Sequence, residues 1–420
     1  MAATRPGRLY RTLRPIIGGD SSIFILQSAP LGDILDTGIH SVSINRGTSG
    51  RAVGSVPATM EIDIRGQYSA AVAGSNVRFL LRSFAATKLA AHLNADATNI
   101  QTRFTGRLGQ TTVTDTGRRF STVYRAASWI TQMNYSPRHY APKAGQALNT
   151  VLAGLLNAEQ PLRGIKPSFH PPFDTLAVTE APILFREGIQ RYAADLGTLL
   201  QETRDGRTKV LPLLSRMATA RAQVSTQLPL TRSQAISPAT WEQRNERPAT
   251  KVEYTVTNSA GAVSTRLAEV VNPTGELIET ETVDWSYIKV PDVDSGPYRE
   301  AYARVYASNN RQFTVPSVTV DLLYLIGSSK QYHRDQAAQL LALEAGDAVY
   351  FSGDWPNPLQ GVQFAEGITE TIGPEEWKLE LSLVPYAHVV GDAPSPVVPP
   401  KVWDSAGNTW NNETKKWMDA

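Results

Sequence analysis

Three tryptophans near the C-terminal end, Trp403, Trp410 and Trp417, recur every seven residues in KVWDSAGNTWNNETKKWMDA. The spacing suggests a coiled coil, but Gly, Asn and Thr dominate and two intervals are too few for a stable heptad seam. Asp404 to Gly407 and Asn411-Asn412 supply turn chemistry, so small strand-and-turn units with aromatic plugs fit better. Such rings can dock into a neighbouring subunit, pack on one another, or stack on sugars. Trp403, Trp410 and Trp417 are therefore candidate partner-docking residues, with glycan binding as the alternative. The Pro-rich linker before them, VVGDAPSPVVPP, argues that this piece reaches away from the main body.

Other residue types that do chemistry are thinly spread. His40, His92, His139, His170, His333 and His388 form no HxH and no HExxH, and only His333 has a carboxylate at ligand spacing, Asp335. That pair sits at a helix start, where an Asp capping role is the better reading. Asp292, Asp294 and Gly296 resemble the opening of a calcium loop, but no bidentate glutamate follows in place and an Asx-type turn explains them. Glu375 and Glu376 are adjacent, so on a strand they point apart and cannot flank one scissile bond. There is no GxSxG elbow, no Walker lysine and no GxGxxG after a strand. The expectation is a chain without catalytic residues, cofactor or metal.

Composition sets wide bounds. The 420 residues suffice for two or three domains with ample cores. With 41 Lys plus Arg against 39 Asp plus Glu, the formal net charge is +2, which gives no overall attraction to a polyanion. The absence of cysteine removes disulfides, thiolate metal sites and a Cys nucleophile, and suits assembly in a reducing cytoplasm. No apolar run approaches the roughly 20 residues that span a bilayer, so no membrane insertion is expected. Arg5, Arg8, Arg11 and Arg14 precede the first acid, Asp20; the pattern fits a nucleic-acid arm or a transit peptide, but Gly18-Gly19-Asp20 breaks the apolar run that follows, and a solvated or partner-docked arm is the better reading.

Most of the chain patterns as strand. Val42 and Ile44, then Met60, Ile62 and Ile64, alternate with polar residues, and similar runs recur at Val77 to Leu81, Phe104 to Leu108 and Phe120 to Tyr124. Leu148, Val151, Leu152 and Leu155 fall at helical spacing, as do Phe185, Ile189, Tyr192 and Leu196, and Asp205-Gly206 marks a hairpin turn. Strands return with Val252, Tyr254 and Val256, then Val263, Thr265 and Leu267, then Val318 to Tyr324, followed by a short helix from about Gln331 to Gln339. The last stretch reads as a strand through Leu341 and Leu343, a turn at Ala345-Gly346-Asp347, and a strand through Val349 and Phe351. Val362, Phe364, Ile368 and Ile372 share one parity, Gly373-Pro374 turns the chain, and Trp377, Leu379, Leu381 and Leu383 alternate with Lys378, Glu380 and Ser382. This divides the chain into an N-terminal arm (1–30), a first β-barrel (31–140), a helix-and-hairpin insert (141–235), a second β-rich barrel (236–390) and a Pro-rich, Trp-repeat tail (391–420).

Taken in order, these parts resemble a known family. The Leu341/Leu343 pair, the Gly346-Asp347 turn with Val349 after it, the G-I-T-x-T-I run from Gly367 to Ile372 and the W-x-L-x-L-x-L run from Trp377 look like the last barrel of minor tail proteins of long-tailed actinobacteriophages. Arg46-Gly47 and the Gly/Ser-rich link after them resemble that family's opening. A helix feeding Gly197-Thr198-Leu199-Leu200 and an Asp-Gly turn is also typical of it, so the resemblance covers most of residues 30 to 390. These proteins are thought to share the fold of the central hub of contractile-tail baseplates. The resemblance implies a mainly β chain with an α+β insert, two small antiparallel tube-type barrels and a homotrimeric ring of six barrel copies seated on a sixfold tail tube. It implies a virion protein at the distal end of the tail, assembled in the host cytoplasm. Its implied partners are the tail tube or distal tail protein, the tape-measure protein and other minor tail proteins, with DNA passing only in transit through the lumen. The alternative from another class is a host-adhesion tail protein that binds carbohydrate through the C-terminal tryptophans.

Overall fold

The computed structural model describes residues 24–28, 32–35, 39–47, 54–65, 76–81, 102–115, 117, 119–128, 130–131, 139–140, 176–177, 183–184, 199–206, 208–211, 230–234, 242–243, 249–258, 263–269, 279–290, 313–314, 317–352, 355, 361–373 and 376–385. The first third supplies β1 (Phe24–Ser28), β2 (Gly32–Leu35), β3 (Ile39–Gly47), β4 (Gly54–Val56), β5 (Thr59–Arg65), β6 (Asn76–Leu81), β7 (Thr102–Asp115) and β8 (Phe120–Ala127). The middle supplies β9 (His139–Tyr140), β10 (Leu176–Ala177), β11 (Ile183–Leu184), β12 (Leu199–Glu202), β13 (Thr208–Leu211) and β14 (Glu242–Gln243). Then come β15 (Ala249–Asn258), β16 (Val263–Glu269), β17 (Glu279–Val290), β18 (Phe313–Thr314) and β19 (Ser317–Asp321). Helices α1 (Leu322–Ile326) and α2 (Gln331–Ala342) precede β20 (Asp347–Phe351), β21 (Gly361–Ile372) and β22 (Trp377–Pro385). The chain is mainly β, as its alternating patterns require.

Ten strands lie in the order β19-β22-β21-β3-β5-β8-β7-β6-β1-β2, with β20 paired to β21 as the eleventh. The strands of the two expected barrels therefore run into one sheet, joined where β3 pairs antiparallel with β21 through Asn45–Thr369 and Ser43–Thr371. They share one hydrophobic core as well, since Val42, Ile44, Met60, Ile62 and Phe104 cluster with Val320, Ile368, Trp377, Leu379 and Leu381. Each such side chain, fully withdrawn from water, contributes roughly 1.5–3 kcal/mol. β1 is already a sheet strand, paired to β2 and β6, so the strand-rich part begins at Phe24 rather than after residue 30. β15, β16 and β17 stand apart with β10 in a second sheet.

Three local expectations are corrected. The strand read from Val318 to Tyr324 stops at Asp321, whose side chain caps α1, and Leu322 and Tyr324 belong to that helix. Leu341 belongs to the last turn of α2, not to a strand, and Ala337, Leu340 and Leu341 are buried at helical spacing along it. The turn that follows is as expected, with Gly346 at φ +86° and the Asp347 amide donating to the Glu344 carbonyl at 3.0 Å. In β21 the shared parity fails because the register against β22 slips at Glu366, between Ala365 and Gly367. That β-bulge places Ala365, Ile368 and Ile372 in the core cluster and turns Val362 and Phe364 to the other side, where they are also buried. Even-numbered spacing cannot reveal an inserted residue. The Asp205-Gly206 hairpin forms as read, with Gly206 at φ +79° between β12 and β13. The helices expected around Leu148–Leu155 and Phe185–Leu196 lie outside the described residues.

Candidate functional site

The feature that sets this sheet apart is its polar side. From β19 to β7 seven consecutive strands are antiparallel to their neighbours, so cross-strand partners stack into rows on one face. One row reads Asp321, Lys378, Thr371, Ser43, Glu61, Arg125, Gln110. The next reads Thr319, Glu380, Thr369, Asn45, Thr59, Ala127, Arg107, and a third adds Ser41, Asp63, Val123 and Thr112. Val123, half-buried, is the one large apolar side chain in these rows. The charges are interspersed and largely satisfy one another. The Arg125 guanidinium donates to Glu61 at 2.8 Å and to Gln110 at 3.3 Å, Thr369 donates to Asn45 at 2.6 Å, Ser121 pairs with Asp63, and Lys378 donates to Glu376 at 2.6 Å. Asp321 closes the β19 end by accepting the Tyr324 amide at 3.1 Å as the α1 cap, while burial pushes its carboxyl up. A broad, wet wall of Ser, Thr and paired charge offers passing molecules neither an apolar patch nor a block of one sign.

Behind this wall lies a buried ionic bridge. Glu370 and Arg46 fall on the core parity of β21 and β3, in phase with Ile368 and Ile44. Arg103 of β7 grips Glu370 with three hydrogen bonds of 2.7–3.1 Å, and the Trp377 indole donates to the same carboxylate at 2.8 Å. Burial pushes Glu370 up, and the Arg103 and Arg46 guanidiniums and the Trp377 N–H outweigh it, so the carboxyl ends below its usual range. Arg46 donates to Glu344 at 3.1 Å and stands 3.9 Å from Glu370. Burial lowers it to about 10 despite Glu344. Arg204, beside the β12–β13 turn, pairs with Glu344 and donates to the carbonyls of Leu341 and Ala342, while Arg103 reaches Leu341 at 2.8 Å. Two guanidiniums thus close the C-terminus of α2, where the helix dipole favours cations. The bridge ties the first strand-rich segment, the insert hairpin and the C-terminal strands to one point.

The residues singled out from sequence fare differently. His333 turns to Ser328 at 2.8 Å and Asp335 to Gln331 at 2.6 Å, so the two share no site. Asp335 is no cap either: Lys330 occupies that position without a side-chain bond. Among the described residues no group of three metal-ligating side chains occurs. Trp403, Trp410 and Trp417, with Asp292, Asp294 and Gly296, lie outside the described residues. Sequence reasoning passed over Arg103, Arg204, Glu344 and Glu370, although a glutamate in phase with Ile368 and Ile372 is itself a signal of a buried, paired charge.

With this geometry in view, the solved structures it resembles carry a direct reading. A tail protein from Neisseria meningitidis MC58 superposes with a TM-score of 0.59 over 89% of this chain and 99% of that one, at 10% identity. The 43 kDa tail protein of prophage MuSo2 from Shewanella oneidensis gives 0.56 over 87% and 99%, also at 10% identity. This chain has the fold of phage tail proteins. No family model matches the sequence, and no curated protein matches it.

Proposed function

We propose that this chain is the tail-tip hub of a long-tailed phage of actinobacteria, a homotrimer that closes the distal end of the tail tube. The polar face from β19 to β7 carries the proposal. In a ring it forms the lumen wall, past which the tape-measure protein and then DNA move without sticking. Its self-paired charges and hydroxyls suit that task, and a fold shared with tail proteins over nearly the whole chain supports it. The chain docks the tail tube or distal tail protein on one side and other minor tail proteins on the other, with Trp403, Trp410 and Trp417 as docking residues. It resides in the virion after assembly in the host cytoplasm and performs no catalytic step.

Light scattering combined with negative-stain imaging of the same peak tests this reading. A trimer with a central hole is the expected result. A monomer at every concentration, together with absence of the protein from purified tail tips by immunogold labelling, overturns it.

A further inference from the structure

The corner between α1 and α2 gathers three rings at the surface. Four of the five α1 residues are buried, and Tyr324 alone faces out, 40% exposed. Its ring lies 5.9 Å from that of His333, which lies 5.8 Å from that of Tyr332. Burial, and then the Lys330 charge, lower the His333 pKa, so at pH 7 its ring is neutral and packs as an aromatic. The corner is braced from within. Arg334 donates to the Ser328 carbonyl at 2.9 Å, the Lys330 amide to Ser328 Oγ at 3.2 Å and the Gly327 amide to the Leu323 carbonyl at 2.8 Å. The described chain is continuous from 317 to 352, so the whole corner is in view. Lys330, at its edge, is exposed and makes no ion pair among the described residues. Rings held in place and half in water form a platform for one more flat ring.

The chain's own tail supplies that ring. After β22 ends at Pro385, residues 386–402 lead to Trp403, and Asp404 follows it. Asp321, just before α1, pairs with Lys378 near the start of β22, so the corner and the root of the tail lie at opposite ends of that strand. Seven residues at about 3.4 Å separate them by about 24 Å. A link of that length in residues spans roughly 21–25 Å as a coil and about 53 Å as polyproline II, so it covers the distance either way. We infer that Trp403 folds back on its own chain and seats on the Tyr324–His333–Tyr332 platform, with Asp404 paired to Lys330. Trp410 has Asn411 in the place of that acid, and Trp417 follows Lys415-Lys416, which Lys330 would repel. A link whose coil span matches the gap gives the tail a high effective concentration at the corner, which favours its own chain over another copy. The contact is autoinhibitory: it holds the first tryptophan of the tail until a neighbouring protein takes it. That consequence rests on the docking role proposed above; the contact itself does not.

The chain has no cysteine, so an engineered pair reports cleanly. In the full chain, Lys330→Cys with Asp404→Cys, under mild oxidant at low protein concentration, should close a disulfide within one chain, mapped by mass spectrometry. Adding Trp403→Ala should slow that closure roughly tenfold or more, since the ring no longer leaves water on the platform. Tyr324→Ala should slow it in the same way, and Trp410→Ala should leave it unchanged. No closure, or closure at the same rate without Trp403, overturns the inference. A disulfide formed only between chains also overturns it, because the tail then sits on another copy. Closure in a chain that scatters as a monomer upholds the fold-back while the hub reading falls; a ring without closure does the reverse.

Discussion

The two faces of the large sheet treat charge in opposite ways. On the front, Arg125 and Glu61 meet at 2.8 Å with about half of each side chain in water, 53% and 51% exposed. On the back, Arg103 and Glu370 meet at 2.7 Å with both fully enclosed. The distances are nearly equal; the surroundings are not. In water an ion pair is worth at most about 1 kcal/mol, because solvent already satisfies both partners. Enclosed, the same pair gains little net stability but punishes separation, since losing one partner strands the other in a medium that cannot solvate it. The front is therefore free to vary as a surface, while the back fixes which segments must meet.

The largest effect should come from the backbone that carries the bridge. Gly47 sits at φ +77°, and a Cβ there would lie 2.0 Å from the Glu366 carbonyl oxygen at the bulge and 2.9 Å from Ala345 Cβ. Gly47→Ala combines left-handed strain with a backbone clash, together on the order of 5 kcal/mol or more. Loss of soluble protein, or a sharply lowered melting temperature by circular dichroism, is expected. A variant that melts like the parent would remove the close approach of β3 to β21.

Glu370→Gln ranks next, at roughly 3–5 kcal/mol in urea unfolding at neutral pH, because Arg103 and Arg46 lose their buried counter-charge. The pH dependence has a definite sign. A folded carboxyl held below its ordinary value stabilises fully above that value, about 4.3, and the stability drains as pH falls through the folded one. The parent should lose stability steeply on acidification below about pH 4, and Glu370→Gln should show a shallower acid limb. Equal limbs would mean that Glu370 does not carry the acid sensitivity.

How far the sequence reveals this architecture depends on period. The alternation of Met60, Ile62 and Ile64 and of Trp377 to Leu383 needs only the two-residue repeat of a strand, and it names the buried side chains correctly. The Gly346 and Gly206 turns are legible from residue type. Where β21 takes an extra residue at Glu366, parity is blind, and where α2 runs into Leu341 a helix stripe and a strand pair look alike over so few residues. The meeting of Arg46 with Glu344, nearly 300 positions away, has no local signature. That β3 and β21 would share one sheet is likewise a matter of pairing, which single-strand patterns leave open.

Arg204→Met keeps the apolar stem and removes the head that reaches Glu344, Leu341 and Ala342. The expected cost is about 1.5–3 kcal/mol, the range for hydrogen bonds to a charged group. It should be felt as earlier proteolysis at the β12–β13 hairpin than in the β3–β5–β8 strands. Uniform sensitivity across the chain would show that the insert hairpin is held by other contacts.

The smallest effect should belong to the front. Glu61→Gln removes a half-exposed carboxylate from Arg125, which keeps Gln110 as a partner and gains water. A cost of about 0.5 kcal/mol or less is expected, and 1 M salt should erase it by shortening the screening length to about 3 Å. The same salt should leave the Glu370→Gln penalty standing, because ions do not enter the core. A double-mutant cycle for Glu61 with Arg125, set beside one for Glu370 with Arg103 in low and high salt, measures this directly. If the front pair proved as strong and as salt-resistant as the back one, the polar face would have to be covered in the isolated chain. It could not then serve as an open wall.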